Sequence, residues 1–329
     1  MIQSLCTPEE VQKQIESGMA LLLAGDESLL RQLPAGRWIG GTIPYFLGPE
    51  GGTFSKERLF VNEMPAAVEE VRIKVYDKES LESVYSEAPG SGFSFIIIPG
   101  MSEVHLSFAL NAPAYPGFGT TPLVGWVAGV DLEELGRVSP KVVDGTTGTI
   151  LGDQAAVMHV TLSEGKAADV GIINIFEQGN GDALRFPSTG FKVTDVLVEN
   201  QSVNFADYIE EKKADFKLPL VANYCGAMVN TSLQKVDADA REVVLYAPVF
   251  EGVEYRWAAP VADYVETFAS MVPSAHQGTA IFSCNCILNY LYSELEGKRT
   301  GPFVGPVTFG EIAYQLLNQT LVYLKIIDT

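Results

Sequence analysis

The chain has 329 residues, of which 41 are acidic and 22 basic, for a formal charge of −19. Hydrophobic residues at 47% and charged ones at 19% provide for a sizeable core, in one large domain or two ordinary ones, and exclude a disordered chain. The acidic balance argues against nucleic acid, whose phosphates need clustered Lys and Arg, and against docking on an anionic membrane surface.

The first seventeen residues carry Glu9, Glu10 and Glu16 and no basic-then-apolar pattern, so no secretory start is expected. The longest apolar runs fall well short of the roughly 20 residues a membrane span needs. Cys6, Cys225, Cys284 and Cys286 form no disulfide framework in a chain of this length, and Cys284-Asn285-Cys286 is too tightly spaced for a zinc knuckle. Reduced thiols and a cytoplasmic location are the expectation.

In chain order, Thr7-Pro8-Glu9-Glu10 spells a capping Thr, a Pro at the first helical position and a Glu three residues after the cap; Val11 and Ile15 give the helix an apolar face and Gly18 stops it. A strand is predicted at 20–24, a helix at 26–33 and a strand opening at Trp38. The apolar run 93–98 reads as a strand covered on both faces, followed by a helix capped by Ser102 and ending near Asn111. Residues 123–130 read as a strand, 131–135 as one helical turn and 155–162 as an antiparallel strand. A further strand at 170–176 meets the turn Gly179-Asn180-Gly181-Asp182, read as part of a hairpin. Beyond Phe186, helices are predicted at 203–213, 261–272 and 287–295. Strands are predicted at 218–224, 279–283, 303–308 and 319–326, the last apolar enough to be central. The strands 242–250 and 253–258 are expected to pair through Glu251-Gly252. Segments 44–53, 87–92 and 112–122 read as loops.

Two stretches echo each other. Leu21-Leu22-Leu23-Ala24-Gly25 leads through a helix to Gly36-Arg37-Trp38-Ile39-Gly40, and Ala280-Ile281-Phe282-Ser283-Cys284 leads through a helix to Gly301-Pro302-Phe303-Val304-Gly305. A crossover of that length lays the second strand parallel to the first. The expected fold class is therefore α/β, with mixed sheets covered by helices and two pseudo-repeated halves, 1–186 and 187–329.

The run Gly301-Pro302-Phe303-Val304-Gly305-Pro306-Val307-Thr308-Phe309-Gly310-Glu311-Ile312, followed by Asn318-Gln319-Thr320-Leu321-Val322, resembles the end of the FIST domain, in which a Gly-Glu-Ile closes a strand and Asn-x-Thr opens the last one. Phe282-Ser283-Cys284 and Gly40-Gly41-Thr42 are similar to the family's strands in the two halves. At the position matching Gly-Glu in the first half this chain has Tyr45-Phe46. The resemblance implies a sensory, signal-transducing module that binds a small molecule such as an amino acid, here as a divergent stand-alone member acting with a separate signalling protein and binding rather than catalysing.

The candidate ligand-binding residues are Tyr45, Ser102, His105, Cys284, Asn285, Cys286 and Glu311, all at expected strand–helix junctions, where open α/β sheets bind ligands. A thiol at a helix start can be held as thiolate, which makes Cys284 or Cys286 an alternative nucleophile; a buried structural Cys is the plainer alternative. Glu311 can accept from a ligand amino group, act as a general base, or simply cap the segment that follows. His105 offers a haem or metal ligand, or an ordinary helix-face histidine. His276 lies too far along the chain from the thiols for sequence to pair them, and Asn174, Asn180 and Asp182 read as turn formers. No phosphate loop, nucleophile elbow, zincin motif or C-x-x-C is present.

Overall fold

The central strands are built from continuous apolar runs rather than alternating ones, because both of their faces are covered. The computed structural model describes residues 3–224, 226–271, 280–299 and 301–329. Cys225, His276 and the adjoining ends of the elements expected at 261–272 and 279–283 lie outside the described residues. In Gly92–Pro99, successive side chains point to opposite sides. Phe93, Phe95 and Ile97 enter one buried cluster, and Ile96 and Ile98 another. Leu21–Gly25 divides in the same way, Leu22 and Ala24 against Leu21 and Leu23. So does Leu321–Asp328, Val322 and Leu324 against Leu321 and Tyr323.

Three six-stranded sheets share the inner cluster. The first runs in the order Gln3–Cys6, Leu59–Glu63, Leu21–Gly25, Trp38–Thr42, Val142–Asp144, Thr149–Leu151. The second runs Gln315–Leu317, Glu311–Ala313, Leu123–Ala128, Gly92–Pro99, Ala155–Leu162, Val68–Tyr76. The third runs Lys166–Ile173, Leu321–Asp328, Ala280–Cys286, Gly305–Thr308, Tyr45–Gly48, Gly51–Phe54. Phe282 of the third sheet joins it to the second. Its ring stacks on Trp126 at 5.8 Å and meets Phe95 edge-on at 5.1 Å. Helix Pro8–Glu16, with its capping box at Thr7 in place, covers the outer face of the first sheet through Val11 and Ile15. Helix Glu103–Asn111 covers the second through Val104 and Phe108.

Residues 184–257 build a separate layer. It consists of a six-stranded sheet, the three-stranded sheet Gly190–Val193, Glu242–Val249, Leu233–Asp237, and helix Phe205–Lys212, around a core of their own. The chain then returns to the main body. Strands after Ala280 pair with strands before Ile173, as in Lys166–Ile173 with Leu321–Asp328 and Tyr45–Gly48 with Gly305–Thr308. The division at 186/187 thus marks the entry to the added layer rather than a separation between two sets of sheets.

Both echoed stretches form parallel pairs, Leu21–Gly25 with Trp38–Thr42 and Ala280–Cys286 with Gly305–Thr308. Gly92–Pro99 and Leu123–Ala128 make a third. The shared spelling is therefore that of the crossover unit. Gly305 is required by close approach, since a Cβ there would lie 1.9 Å from the Ser283 carbonyl oxygen.

Several expectations are corrected. Residues 44–53 are a strand pair, Tyr45–Gly48 with Gly51–Phe54, rather than a loop. The turn at 179–182 closes no hairpin, because Leu184–Arg185 pairs with Asp195–Val198 and Glu254–Trp257. Glu242–Val249 and Glu254–Trp257 lie in different sheets of the added layer, and the chain changes sheet at Glu251-Gly252. Asn174 is more than a turn former. It exchanges side-chain hydrogen bonds with Asn230 at 2.9 and 3.0 Å, tying the added layer to the main body.

Candidate functional site

Gly100 follows the strand Gly92–Pro99, Leu132 and Leu135 follow Leu123–Ala128, Ile287 and Leu288 follow Ala280–Cys286, and Phe309 follows Gly305–Thr308. These residues wall one cavity of about 70 Å³. It therefore sits at the carboxyl ends of two parallel strand pairs, where helix dipoles and chain crossovers leave open space in α/β sheets. Tyr246 and Gln234, from the added layer, form the remaining wall.

His105 is the buried polar group in this apolar lining. Ser102 caps its helix, accepting from the His105 N–H at 3.1 Å and donating to the Pro99 carbonyl at 2.6 Å. The backbone at Met101 is left-handed, with φ of 62°, and its N–H donates to His105 Nδ1 at 3.2 Å. Nδ1 is therefore the unprotonated nitrogen, and the neutral ring carries its proton on Nε2. Burial pushes the histidine pKa down to about 4, so the ring is neutral at pH 7. Nε2 is buried and has no partner among the described residues. It is an unused donor on a ring that lines the cavity.

This tautomer bears on haem or metal ligation. A metal on Nε2 would require the proton on Nδ1, where it would face the Met101 N–H. Among the described residues no group of three or more His, Cys, Asp or Glu is placed to hold a metal ion.

The other expected site residues divide into two sets. Tyr45 does not line the cavity; it positions a wall of it. Its ring packs on Phe54 and Tyr290, and its hydroxyl accepts the Leu132 N–H at 3.2 Å. Lys56 pairs with Asp131 at 2.8 Å and Glu134 at 2.9 Å and holds the same turn. Ser102 acts as a helix cap. The Cys284 thiol points into the inner core toward the Gly125 carbonyl, 3.4 Å away.

Asn285, Cys286 and Glu311 form a buried polar cluster beneath helix Ile287–Tyr292. Asn285 Oδ1 accepts from the Cys286 N–H at 2.7 Å and from Asn289 Nδ2 at 2.9 Å. Glu311 Oε2 accepts from the Thr320 N–H at 3.1 Å and its hydroxyl at 2.8 Å. Glu311 Oε1, Asn285 Nδ2 and Asn289 Oδ1 have no partner among the described residues. Burial raises the Glu311 carboxyl to about 8 and raises the Cys286 thiol well above its ordinary value, the neighbouring carboxyl adding to the latter. At neutral pH both groups hold their protons and supply neither thiolate nor carboxylate base. Glu311 does not cap a helix either; the residues after it are the strand Glu311–Ala313.

On the far flank of helix Ile287–Tyr292 an open cleft of about 420 Å³ is edged by Lys217, Asp263, Tyr264, Glu294 and Lys298. Its charged side chains are exposed and none of the unpartnered buried polar atoms lies in it.

Leu132, Leu135, Tyr246, Leu288, Leu291 and Phe309 escaped the sequence reading. Leu132 and Leu135 lay in a helical turn that was expected, and the Pro99-Gly100 break before Met101 was a usable signal. Tyr246 had none, since it arrives from a different layer.

The fold and site define a mixed α/β protein with a small, mostly apolar cavity at the carboxyl ends of its parallel strands, lined in part by the His105 ring. The profile of the family described as Family of unknown function (DUF6976) matches residues 6–327, and the chain belongs to that family. No curated protein matches it. Among the described residues no helix is long and apolar enough to cross a membrane.

Proposed function

We propose that this chain is a small-molecule-binding protein of FIST-like type, cytoplasmic and non-enzymatic, whose ligand seats against His105. One observation carries the reading: the buried Nε2–H of His105 has no acceptor among the described residues, and its ring lines a cavity walled by the segments that follow four paired strands. A buried donor left unpaired costs about 1–3 kcal/mol, which a ligand acceptor recovers. The sensory role is the consequence the FIST likeness adds. Ligand contact with helix Ile287–Tyr292, whose far flank faces the open cleft, would be read there by a signalling partner.

The test is a thermal-shift screen of small metabolites against the wild type and Leu291→Trp, which fills the mouth of the cavity from an exposed position. At a hundredfold excess over Kd a ligand adds about 2.7 kcal/mol of stability. The wild type should respond and Leu291→Trp should not. An equal response from both would place binding elsewhere.

A further inference from the structure

The lining of the His105 cavity specifies a class of ligand. Among the described residues that line it, none is a Lys, Arg, Asp or Glu. A carboxylate buried here would lose its hydration and find no cation, and an amino acid would bury two such charges. The cavity is small, about 70 Å³, and takes a head group of a few heavy atoms. Outside it, the rim is apolar and open: Met101, Leu135 and Leu291 are 53%, 40% and 41% exposed. Three large apolar side chains standing in water around one opening are an unusual expense for a surface, and they continue the apolar lining outward. Of the three polar side chains in the lining, Gln234 is exposed and Tyr246 half-buried; the buried one, His105, donates and does not accept, because the Met101 N–H occupies Nδ1.

We infer that the ligand is a neutral carbonyl compound on an aliphatic chain: its carbonyl oxygen accepts from His105 Nε2–H, and its chain lies over Met101, Leu135 and Leu291. This rests on the binding reading above. A ketone, aldehyde or ester meets the site's needs because its oxygen only accepts. An amino acid does not, so the ligand that the FIST likeness suggests is replaced by one the cavity chemistry fits.

The experiment compares four compounds of one chain length, 2-octanone, n-octane, octanoate and 2-aminooctanoate, by titration against the wild type, His105→Phe and Leu291→Trp. The ketone should bind the wild type about tenfold more tightly than the alkane, the value of one buried hydrogen bond, and more tightly than either charged compound. His105→Phe should bring the ketone to the level of the alkane and leave the alkane unchanged. Leu291→Trp should remove both. If His105→Phe does not fold, the ¹⁵N resonance of His105 Nε2 in the wild type takes its place: it should shift with 2-octanone and not with octane. Tighter binding of octanoate or 2-aminooctanoate, abolished by Leu291→Trp, would overturn the ligand class and keep the cavity as the site. Absence of any binding sensitive to Leu291→Trp would overturn the binding reading and the ligand class with it.

Discussion

The Met101 backbone N–H and the His105 Nδ1 are 3.2 Å apart, and this one contact decides which nitrogen of the ring carries the proton. Met101 holds a left-handed backbone, φ of 62°, at a cost of about 1–3 kcal/mol for a residue with a side chain. The turn is over-determined by its neighbours: the Gly100 N–H donates to the Ala128 carbonyl at 3.1 Å and the Ser102 hydroxyl to the Pro99 carbonyl. A fixed tautomer has a spectroscopic signature. The His105 ¹⁵N resonances should show Nδ1 unprotonated and Nε2 protonated at pH 7, with titration at about 4. An Nδ1–H form, or titration near 6.5, would remove the donor from the cavity.

The same burial makes stability depend on pH on the acid side. His105 and His159 both have folded pKa values lowered to about 4, chiefly by desolvation, against about 6.5 unfolded. As pH falls from 6.5 the unfolded chain takes up the protons first. The stability present above 6.5 is then lost down to pH 4, at up to about 1.4 kcal/mol per pH unit for each ring. His105→Phe should flatten part of that slope in urea unfolding measured at pH 4.5 and 7. His159, held between Tyr76 and Ser94 by two 2.8 Å hydrogen bonds, adds a second share of the same sign. An unchanged slope in His105→Phe would show that the ring is not buried neutral.

Glu311 works in the opposite direction. Its folded pKa of about 8 lies above the ordinary 4.5, so its contribution is full below 4.5 and is lost as pH rises through 8. Glu311→Gln keeps an acceptor for Thr320 and has no proton to lose. The variant should gain on the wild type steadily between pH 5 and 8, by up to about 1.4 kcal/mol per unit. Urea midpoints at the two pH values measure it. A difference that does not change with pH would mean the carboxyl is ionised in its pocket.

Cys284 and Cys286 are each 1% exposed, and burial raises both thiols. Reaction with iodoacetamide at pH 7.5, mapped by peptide, should leave both untouched in the folded protein and label both once denaturant opens the inner core. Rapid native labelling of Cys286 with an apparent pKa below 7 would revive a nucleophilic role for it.

How far the sequence could be read depended on whether the signal was local. The cap at Thr7, the covered strand before Pro99 and the helix from Ser102 are written in consecutive residues, and each is present. The strand Val68–Tyr76 also had a local signal that went unused: Val71, Ile73 and Val75 alternate with Arg72 and Lys74, as suits a half-exposed edge. Pairing partners are a different matter. Glu242–Val249 and Glu254–Trp257 look like a hairpin in sequence, and only the three-dimensional layering sends them to separate sheets. At the site, His105 was identifiable from its place after a strand. Its donor role was not, because it depends on the backbone angle at Met101. Tyr246 enters the cavity wall across a layer boundary that no spacing encodes.

Phe282 offers a test of the layering itself. It is fully buried and touches Phe95 and Trp126 of the neighbouring sheet, so its removal leaves a void bounded by two sheets that cannot close independently. Phe282→Ala should cost about 3–5 kcal/mol, the upper part of the range for large-to-small core changes, read as a lower urea midpoint with the m-value unchanged. Phe282→Leu refills most of the void and should recover more than half of that loss. The emission of Trp126 should shift to the red in the alanine variant as its stacking partner is lost. A cost below about 1 kcal/mol would mean that the second and third sheets are not joined through this ring. The walls of the His105 cavity, drawn from those same two sheets, would then lack a common support.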